Sequence, residues 1–457
     1  MVQSNTKLDR KIKQWLIPLI IIILVLVMES CNKDGENPTA IIPLPNTLCH
    51  PFISFGYTEK TSYFPGDKMK AYIQSLKNVD VCRLDVYTIN NEIAFSIASN
   101  LNVQEISTND PSVNRYGYNL ATDFQIPAKL KSGIYLIEKK IPFIVKSASP
   151  VDFTIVYPSN TVNAYSHSGG KSLYDKIDRP WQVSFQRPME LQGNAHAGLK
   201  WFATLTNYAI GYVSDEDMDT YASIQNSKIL VIVGHSEYWT RKARKHFDQF
   251  VESGNDAIIL SGNTMWWQVR YSDNHQMICY KSSPDPVADP LLKTMEWVNS
   301  TLQYSILSSI GADFPRGGYG LQIDNGWDGY KIVNDASPLL EGLNLKKGDV
   351  VSLSTGEYDG APILNFTADG YPELNKAALN FQQVELVGFD KGSRAGKETI
   401  GTFIVFKKTN SSGIVVNAAS NDWCSEKGIG GANREQLKKI TLNSIDKLLY
   451  NKPIFSN

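Results

Sequence analysis

The segment from Ser227 to Thr264 constrains the fold of this chain more than any other. It begins with "SKILVIVGH", a continuous aliphatic run that is typical of a parallel strand covered on both faces. An amphipathic helix follows, with Thr240 as its N-cap and Gly254 at its C-terminal end. "DAIILSGNT" then predicts a second buried strand. A strand, a helix and a strand in this length predict a βαβ unit.

The wider pattern predicts two folded regions in the 457 residues. Between residues 49 and 148, short alternating segments separated by turns predict an all-β, immunoglobulin-like sandwich. Over residues 149–452, strands mixed with helices predict an α/β domain. The continuous aliphatic strands favour a Rossmann-like core with a mainly parallel sheet.

The N-terminus carries the features of an export signal. Four basic residues precede an apolar run, Trp15–Met28, that is shorter than the ~20 residues of a membrane-spanning helix. Ser30 and Cys31 follow and look like a bacterial lipoprotein signal, with Cys31 as the lipidated residue. Glu29 fits that pattern poorly, so an uncleaved signal anchor is the alternative. The basic residues are Lys7, Arg10, Lys11 and Lys13.

These features predict the location of the protein. We expect residues 1–30 to be a lipoprotein signal peptide and residues 31–48 to be a polar, proline-containing linker. The folded part is then a membrane-anchored lipoprotein of the cell envelope, facing the periplasm or the cell surface, with its N-terminal lipid in the membrane.

Charge and cysteine content exclude two classes of protein. The formal net charge of -1 provides no basic surface for nucleic acid, so no nucleic-acid partner is expected. Beyond Cys31, the cysteines are Cys49, Cys82, Cys279 and Cys424, and none has the C-x-x-C spacing of a zinc ribbon. Cys49 and Cys82 could pair in an oxidising compartment, but the sequence leaves that pairing open.

Polar clusters follow both strands of the βαβ unit. "GHSEYW" comes directly after the first strand, and "SGNTMWWQVR" comes after the second. Ligands of open α/β sheets bind outside the carboxyl ends of the strands. His235 and Glu237 are two residues apart, so an extended segment places both side chains on one side, where they can ligate a metal or form a base with its orienting partner. Alternatively, Glu237 caps the following helix and His235 is a polar residue at the rim.

A third cluster lies upstream, in "NTVNAYSHSGGKSLYD". Gly169 and Gly170 predict a tight turn, and Tyr165 and Tyr174 flank it. Tyrosinate is a good ligand for ferric iron, because a hard anionic oxygen suits a hard cation. The alternative is that both tyrosines are ordinary core aromatics with a polar tip at the surface. The glycines lack the spacing of a P-loop, which excludes nucleotide binding through that motif.

In this order, the clusters resemble the C-terminal region of the large (beta) subunit of N,N-dimethylformamidase and its secreted lipoprotein relatives. The resemblance covers residues 150 to 450. Its motifs are "NAYSHSGGKSLYD", "GHSEYWT", "LSGNTMWWQVR" and, more weakly, "GEYDG" and "NAASNDW".

The resemblance implies a mononuclear ferric iron (Fe³⁺) held by two tyrosines and one glutamate. Glu237 matches the family's glutamate through His-x-Glu-Tyr-Trp, and Tyr165 matches the tyrosine of the Ala-Tyr step. Tyr174 is the second tyrosine ligand in this assignment, with Tyr157 and Tyr208 as alternatives.

The same resemblance implies that His235, Asn263 and Glu357 are catalytic. His235 or Glu357 would act as general base, and Asn263 would donate to the oxyanion. The implied reaction is hydrolysis of a C–N amide bond in a small amide or glycan-like substrate.

Other interpretations remain open at this point. The α/β core also resembles class I glutamine amidotransferase domains, but their nucleophilic cysteine is missing, because His235 and Ser236 occupy that place. A serine hydrolase using Ser236 lacks the G-x-S-x-G elbow. The main alternative is a non-catalytic surface lipoprotein that binds glycan or peptide through an aromatic-rich rim. That rim would consist of Trp239, Trp266 and Trp267.

Overall fold

The computed structural model describes residues 44–281, 284–320, 327–431 and 434–456. The predicted signal peptide, Cys31 and most of the linker lie outside these residues. In the described part of the chain, no helix has the length and apolar character needed to cross a membrane. Residues Pro45–Asn457 form one compact unit.

The strands, in chain order, are β1 (Ile53–Thr58), β2 (Ser62–Tyr63), β3 (Lys68–Ser75), β4 (Val79–Thr88), β5 (Ile93–Leu101), β6 (Thr122–Gln125), β7 (Gly133–Ile137), β8 (Ile141–Val145), β9 (Val151–Tyr157), β10 (Gln182–Ser184), β11 (Ile210–Ser214), β12 (Ser227–Gly234), β13 (Tyr238–Thr240), β14 (Asp256–Ser261), β15 (Trp267–Ser272), β16 (Gln276–Ile278), β17 (Gly318–Tyr319), β18 (Gly329–Ile332), β19 (Val350–Ser352), β20 (Glu357–Gly360), β21 (Ile363–Phe366), β22 (Pro372–Leu374), β23 (Gln383–Arg394), β24 (Lys397–Lys407) and β25 (Ile414–Asn417).

The α-helices are α1 (Pro111–Asn114), α2 (Ser159–Tyr165), α3 (Gly193–Phe202), α4 (Arg241–Glu252), α5 (Ile306–Ile310), α6 (Phe314–Gly317), α7 (Lys376–Leu379) and α8 (Glu435–Leu449). Short 3₁₀ helices lie at His50–Phe52, Glu216–Asp219, Tyr221–Ser223, Pro290–Leu292, Ser300–Leu302 and Pro338–Leu340.

The first eight strands form a β-sandwich. One sheet has the order β2-β8-β7-β4-β5, and the other has the order β1-β3-β6. Alternate residues of these strands face inward, among them Met69, Ala71 and Ile73 of β3, and they form one apolar cluster between the sheets. Cys49 and Cys82 form a disulfide, which joins the start of this region to β4 and answers the pairing that the sequence left open.

The remaining chain is built around a mixed sheet that contains eleven strands in the described residues. Strands β11, β9, β12, β14 and β25 run parallel in that order. From β25 onward the direction alternates, because β24 is antiparallel to both β25 and β23. A smaller sheet, in the order β10-β16-β15-β13, packs beside the large one.

The prediction of an α/β core is therefore wrong. The sheet is not mainly parallel, as a Rossmann-like or glutamine-amidotransferase-like core would require. In the residues that the structure describes, strands make up 35% and helices 20%, and the sheets are mixed and antiparallel. The physical reason lies in the long hairpin of β23 and β24, which are joined by Ala395 and Gly396 in left-handed conformation, with φ of 50° and 74°. A two-residue turn connects antiparallel strands only, since a parallel pair needs a long crossover.

The βαβ unit that the sequence predicts is present within this mixed sheet. Strands β12 and β14 are parallel neighbours, with Gly234 opposite Ser261. Helix α4 connects them, and the Thr240 hydroxyl accepts a hydrogen bond from the Ala243 N–H at 3.0 Å, as an N-cap does. Gly254 has a φ of 97° just beyond the helix.

The aliphatic run of β12 is buried on both faces of the sheet. Ile229, Val231 and Val233 pack into the cluster on one side, and Leu230 and Ile232 pack into the cluster on the other. Burial of each such side chain contributes ~1.5–3 kcal/mol. The strand therefore has no free face, and only its carboxyl end is available to carry a site.

Candidate functional site

The site begins where β12 leaves the large sheet. Gly234 has a φ of 73°, and a Cβ there would meet the Gln192 Oε1 at 2.4 Å, so only glycine fits this turn. The Gln192 amide then holds His235 from both sides: its Oε1 accepts from the His235 N–H at 2.8 Å, and its Nε2 donates to the His235 carbonyl at 3.0 Å. The backbone of His235 is thereby fixed at the end of the strand.

The segment after β14 runs beside the segment after β12. The Met265 N–H donates to the Ser236 carbonyl at 2.9 Å, and the Trp267 N–H donates to the Glu237 carbonyl at 2.8 Å. Because these segments are parallel neighbours, the two polar clusters meet at one edge, as the sequence predicts. Asn263 adopts a left-handed conformation with φ of 53°, which turns its side chain towards Glu237.

Glu237 is the centre of the arrangement and is buried. The Tyr174 hydroxyl lies 2.8 Å from each of its carboxylate oxygens. The Asn263 Nδ2 donates to Glu237 Oε1 at 3.3 Å, and the His235 Nε2 lies 3.7 Å from Oε2. The Tyr165 ring stacks on the Tyr174 ring, with centroids 4.0 Å apart.

Glu357 approaches from a distant part of the chain. Its carboxylate Oε2 lies 3.0 Å from the His235 Nε2, although the pair lacks hydrogen-bond geometry. Gly262 makes this approach possible, because a Cβ there would meet the Glu357 carbonyl oxygen at 2.4 Å. The structure thus brings together all six predicted residues of the site: Tyr165, Tyr174, His235, Glu237, Asn263 and Glu357.

The two tyrosines are held by a buried arginine. We name residues 166–173, which connect Tyr165 to Tyr174, the tyrosine loop. The Arg187 guanidinium is 0% exposed and donates to backbone carbonyls of this loop, with distances of 3.1, 2.7 and 3.1 Å to those of Ser166, Ser168 and Lys171. The loop therefore has an internal anchor that is independent of the site itself.

Tyr165 and Tyr174 are 40% and 37% exposed, but the Tyr174 hydroxyl lies against both Glu237 oxygens. Burial, followed by the charge of Glu237, raises the pKa of both hydroxyls far above the ordinary value. Burial also raises the pKa of Glu237. In the absence of a cation, Tyr174 is therefore a neutral phenol that donates to the carboxylate.

His235 has the opposite electrostatic environment. Burial alone would lower its pKa, but the charge of Glu237 and the contact with Glu357 outweigh burial and raise the pKa to about 9. An imidazolium cannot accept a proton, so the cation-free site has His235 as a donor.

Sequence reasoning missed two polar neighbours of Tyr174. The Tyr238 hydroxyl donates to the Tyr174 hydroxyl at 2.9 Å. The Lys281 ammonium lies 3.7 Å from the centroid of the Tyr174 ring and 4.8 Å from that of Trp267. No motif marks Lys281, since its contacts are all distant in sequence.

The donor set fits a hard cation. Two phenol oxygens and a carboxylate are the oxygen ligands that ferric iron prefers, and buried atoms without partners surround them: the His235 Nε2, the Asn263 Oδ1 and the Glu357 Oε2. Across the described residues, no group of three or more His, Cys, Asp or Glu side chains is arranged to hold a metal ion. A metal at this position therefore depends on the tyrosine oxygens.

Several other sequence-derived candidates lie outside the cluster. The alternative tyrosines have their own partners: the Tyr157 hydroxyl accepts from the Gln192 N–H at 3.1 Å, and the Tyr208 hydroxyl donates to Asp446 at 2.7 Å. The buried Ser236 hydroxyl accepts from the Trp239 indole at 3.0 Å, which is a structural contact. Cys31, the predicted lipidation site, lies outside the described residues.

A cavity of about 1010 Å³ opens onto the cluster. Tyr165 and His235 line it on one side, and residues of the β-sandwich line it on the other. A second cavity of about 560 Å³ lies between the sandwich and the larger region and touches none of the six site residues.

Residues 78–429 match the family model described as N,N-dimethylformamidase beta subunit-like, C-terminal. The chain belongs to this family. The family match begins inside the β-sandwich, ahead of residue 150, where the motifs of the resemblance begin. A search of curated proteins finds no match.

Two solved structures are similar to this member of the N,N-dimethylformamidase beta subunit-like family. A putative ThuA-like protein from Bacteroides uniformis ATCC 8492 is 11% identical, with a TM-score of 0.32, over 66% of this chain and 93% of that one. The mmIFT52 N-terminal domain is 10% identical, with a TM-score of 0.30, over 56% of this chain and 92% of that one. Such low scores carry no argument about function.

Proposed function

We propose that this protein hydrolyses the C–N bond of a small amide with the help of one ferric iron held by Tyr165, Tyr174 and Glu237. The observation that carries the proposal is the contact of the Tyr174 hydroxyl with both Glu237 oxygens at 2.8 Å, beneath the stacked ring of Tyr165. Oxygen ligands separated by ~3 Å can share one ion at ordinary metal–oxygen distances near 2 Å. Membership of the family supports hydrolase activity.

A ferric ion supplies Lewis acidity, which polarises an amide carbonyl and lowers the pKa of a water molecule. Glu357 is the base that accepts a proton from the attacking water, because its carboxylate is near the cluster and its Oε2, although close to His235, makes no hydrogen bond. His235 lies 3.0 Å from that carboxylate and stabilises its position as an ion pair. Hydrolysis then breaks the C–N bond, and the leaving nitrogen takes up a proton.

We propose a role for Asn263 that differs from the oxyanion donor expected from sequence. Its amide nitrogen is turned towards Glu237, and its Oδ1 has no partner. In this orientation the amide positions the Glu237 carboxylate. Donation to an oxyanion requires a rotated amide group, so we assign Asn263 first as a positioning residue for the glutamate.

We also propose that the protein is exported and anchored in the cell envelope by a lipid on Cys31. The basic residues, the short apolar run and Cys31 support this location. The Cys49–Cys82 disulfide supports it as well, since disulfides persist in oxidising compartments.

Burial argues against a glycan- or peptide-binding role for the aromatic rim. Trp239 and Trp266 are 1% and 6% exposed, so neither ring presents a face on which a sugar could stack. Trp267 is partly buried and packs against Tyr238 and Lys281. Amide hydrolysis is the function that the arrangement favours.

Iron analysis and visible absorption of the purified protein test the proposal. We expect stoichiometric iron and a band from tyrosinate-to-iron charge transfer. Tyr174→Phe should lose both, because it removes a ligand oxygen. Tyr208→Phe is the matched control, since it removes a tyrosine hydroxyl bonded to Asp446 outside the cluster, and it should keep both. An iron-free protein without the band, from cells grown with ample iron, contradicts the proposal.

A further inference from the structure

The cavity that opens onto the candidate site has an unusual wall. Three lysines line it together with Tyr165 and His235: Lys139 and Lys140, from the turn between β7 and β8, and Lys200, from α3. Two of these lysines belong to the β-sandwich and one to the larger region. The entrance to the site is thus built by both parts of the chain.

The turn that carries Lys139 and Lys140 is held in place by a buried carboxylate. Glu138 is 1% exposed, and its Oε1 accepts from the Asp85 N–H at 2.7 Å. Glu138 and Lys139 both adopt left-handed conformations, with φ of 49° and 60°, which fold the turn tightly. The Lys140 ammonium also contacts the Ile53 carbonyl. The two lysines therefore project from a fixed support.

The sandwich also contacts the helix that carries the third lysine. The Asn90 Nδ2, in the turn between β4 and β5, donates to the Lys200 carbonyl at 3.3 Å. Asn91 of the same turn lines the cavity. This contact fixes the end of α3, which carries Lys200, against the sandwich.

No carboxylate in the described part of the chain neutralises the positive charge of this wall, although the Lys139 ammonium lies 4.6 Å from the centroid of the Tyr87 ring and the Lys140 ammonium donates to the Ile53 carbonyl. None of the three lysines has a carboxylate within 4.0 Å in the described residues. Glu190 is the single acidic residue among those that line the cavity, and His167 is already paired with Asp175. A cavity with unpaired cations concentrates anions at its mouth.

We infer that the natural substrate is an amide that carries an oxyanion, a carboxylate or a sulfonate, which Lys139, Lys140 and Lys200 bind while its amide group reaches Tyr165 and His235. The inference rests on the proposed amide hydrolysis and names its substrate class. The sandwich is then a specificity element rather than a spacer, which agrees with a family match that starts within it.

A set of matched probes tests the inference. N-acetylglycine carries a carboxylate, N-acetyltaurine carries a sulfonate, and N-acetylglycinamide is the neutral analogue. For the wild type, we expect kcat/KM to be about tenfold higher for an anionic probe than for the neutral one, since three exposed ion pairs contribute modestly each. Added salt should shrink this preference. The better anionic probe distinguishes a carboxylate from a sulfonate substrate.

Two triple variants remove the same charge from different places. In the cavity variant, Lys139, Lys140 and Lys200 become alanine, and we expect KM for the anionic probes to rise until the preference is lost. The control variant changes Lys129, Lys131 and Lys346, which are exposed lysines outside both cavities. The control should keep the wild-type preference, and both variants should keep iron and the visible band.

The outcomes separate this inference from the function on which it rests. A wild type without preference for an anionic probe, or a control variant that loses the preference as fully as the cavity variant, overturns the inference. If no probe is hydrolysed, calorimetric binding of N-acetylglycine decides instead: lysine-dependent binding supports the anionic class. If the cavity variant binds N-acetylglycine as tightly as the wild type, the inference is overturned. Absence of both iron and hydrolysis counts against the proposed function alone.

Discussion

Replacing Arg187 with methionine should weaken both the fold and the proposed metal site, because this residue anchors the tyrosine loop. The guanidinium is fully buried, and burial lowers its pKa to about 10, so it remains charged at neutral pH. Methionine has a similar length and no donor. The substitution therefore removes hydrogen bonds while it fills most of the space.

The loss in free energy of unfolding follows from the oxygen atoms that no longer receive a hydrogen bond from Arg187. Six oxygens accept from Arg187, and three of them belong to fully buried residues, Asn163 and Ser184. A buried acceptor without a partner costs ~1–3 kcal/mol, and neighbouring losses are not fully additive, so we expect about 4 kcal/mol in the free energy of unfolding. The other three carbonyls lie in the partly exposed tyrosine loop, where water replaces the guanidinium.

Thermal and denaturant unfolding measure this effect. The unfolding entropy of a unit of about 410 residues is about 0.9 kcal/mol/K, so 4 kcal/mol lowers Tm by about 5 °C. Iron content provides the second measurement. Since the loop joins the two proposed tyrosine ligands, we expect the variant to bind iron more weakly even well below its Tm.

Arg244→Met is the matched control. Arg244 is also 0% exposed, and its guanidinium donates to the Tyr304 and Ser305 carbonyls and to the Ser309 hydroxyl, away from the site. It should destabilise the fold without changing iron affinity. If Arg187→Met unfolds like the wild type, or if both variants lose iron equally at matched stability, the anchoring role is refuted.

Three further predictions concern the base, the disulfide and a buried acid. Glu357→Gln should lower kcat by ~10²–10⁴-fold while iron content and the visible band persist, whereas loss of the band would make Glu357 a ligand instead. Replacing Cys49 and Cys82 with serine should cost ~3 kcal/mol in denaturant unfolding under oxidising conditions, because the bridge closes a loop with a sequence separation of 33; an equal Cm for both proteins contradicts this. Burial raises the pKa of Asp256 to about 6, because it disfavours the charged carboxylate. The folded state therefore has its full stability while Asp256 is protonated, below about pH 4, and loses stability as the pH rises through 6 and the carboxyl group ionises. Asp256→Asn should therefore stabilise the protein by ~1–2 kcal/mol at pH 8 and not at pH 4. The asparagine side-chain oxygen can still accept from the Ile414 N–H. Equal changes in stability at both pH values would show that the effect does not come from ionisation of Asp256.

Sequence patterns were most informative near β12 and β14. Their aliphatic runs predicted buried parallel strands, and the parallel direction alone brings the segments after them to one edge. Local rules also placed Thr240 at the start of α4 and Gly254 just beyond its end. These features depend on residues close in sequence, so periodicity and turn chemistry suffice to predict them.

Sheet direction beyond β25 was not predicted correctly. The aliphatic strands of the C-terminal third are buried like those of β12, so their composition resembles that of parallel strands. The turn at Ala395 and Gly396 decides their direction, and it was the local signal that the prediction overlooked.

By itself, the sequence determined the polar clusters and the strand ends on which Glu237 and Asn263 lie. Only the tertiary structure decided that Glu357 reaches His235, that Arg187 anchors the tyrosine loop, and that lysines of the sandwich face the same cavity. These contacts join residues far apart in the chain. Tertiary packing decides which of these residues meet, as in the close approach of the Glu357 backbone that Gly262 permits. Such packing contacts produce no periodic pattern in the sequence.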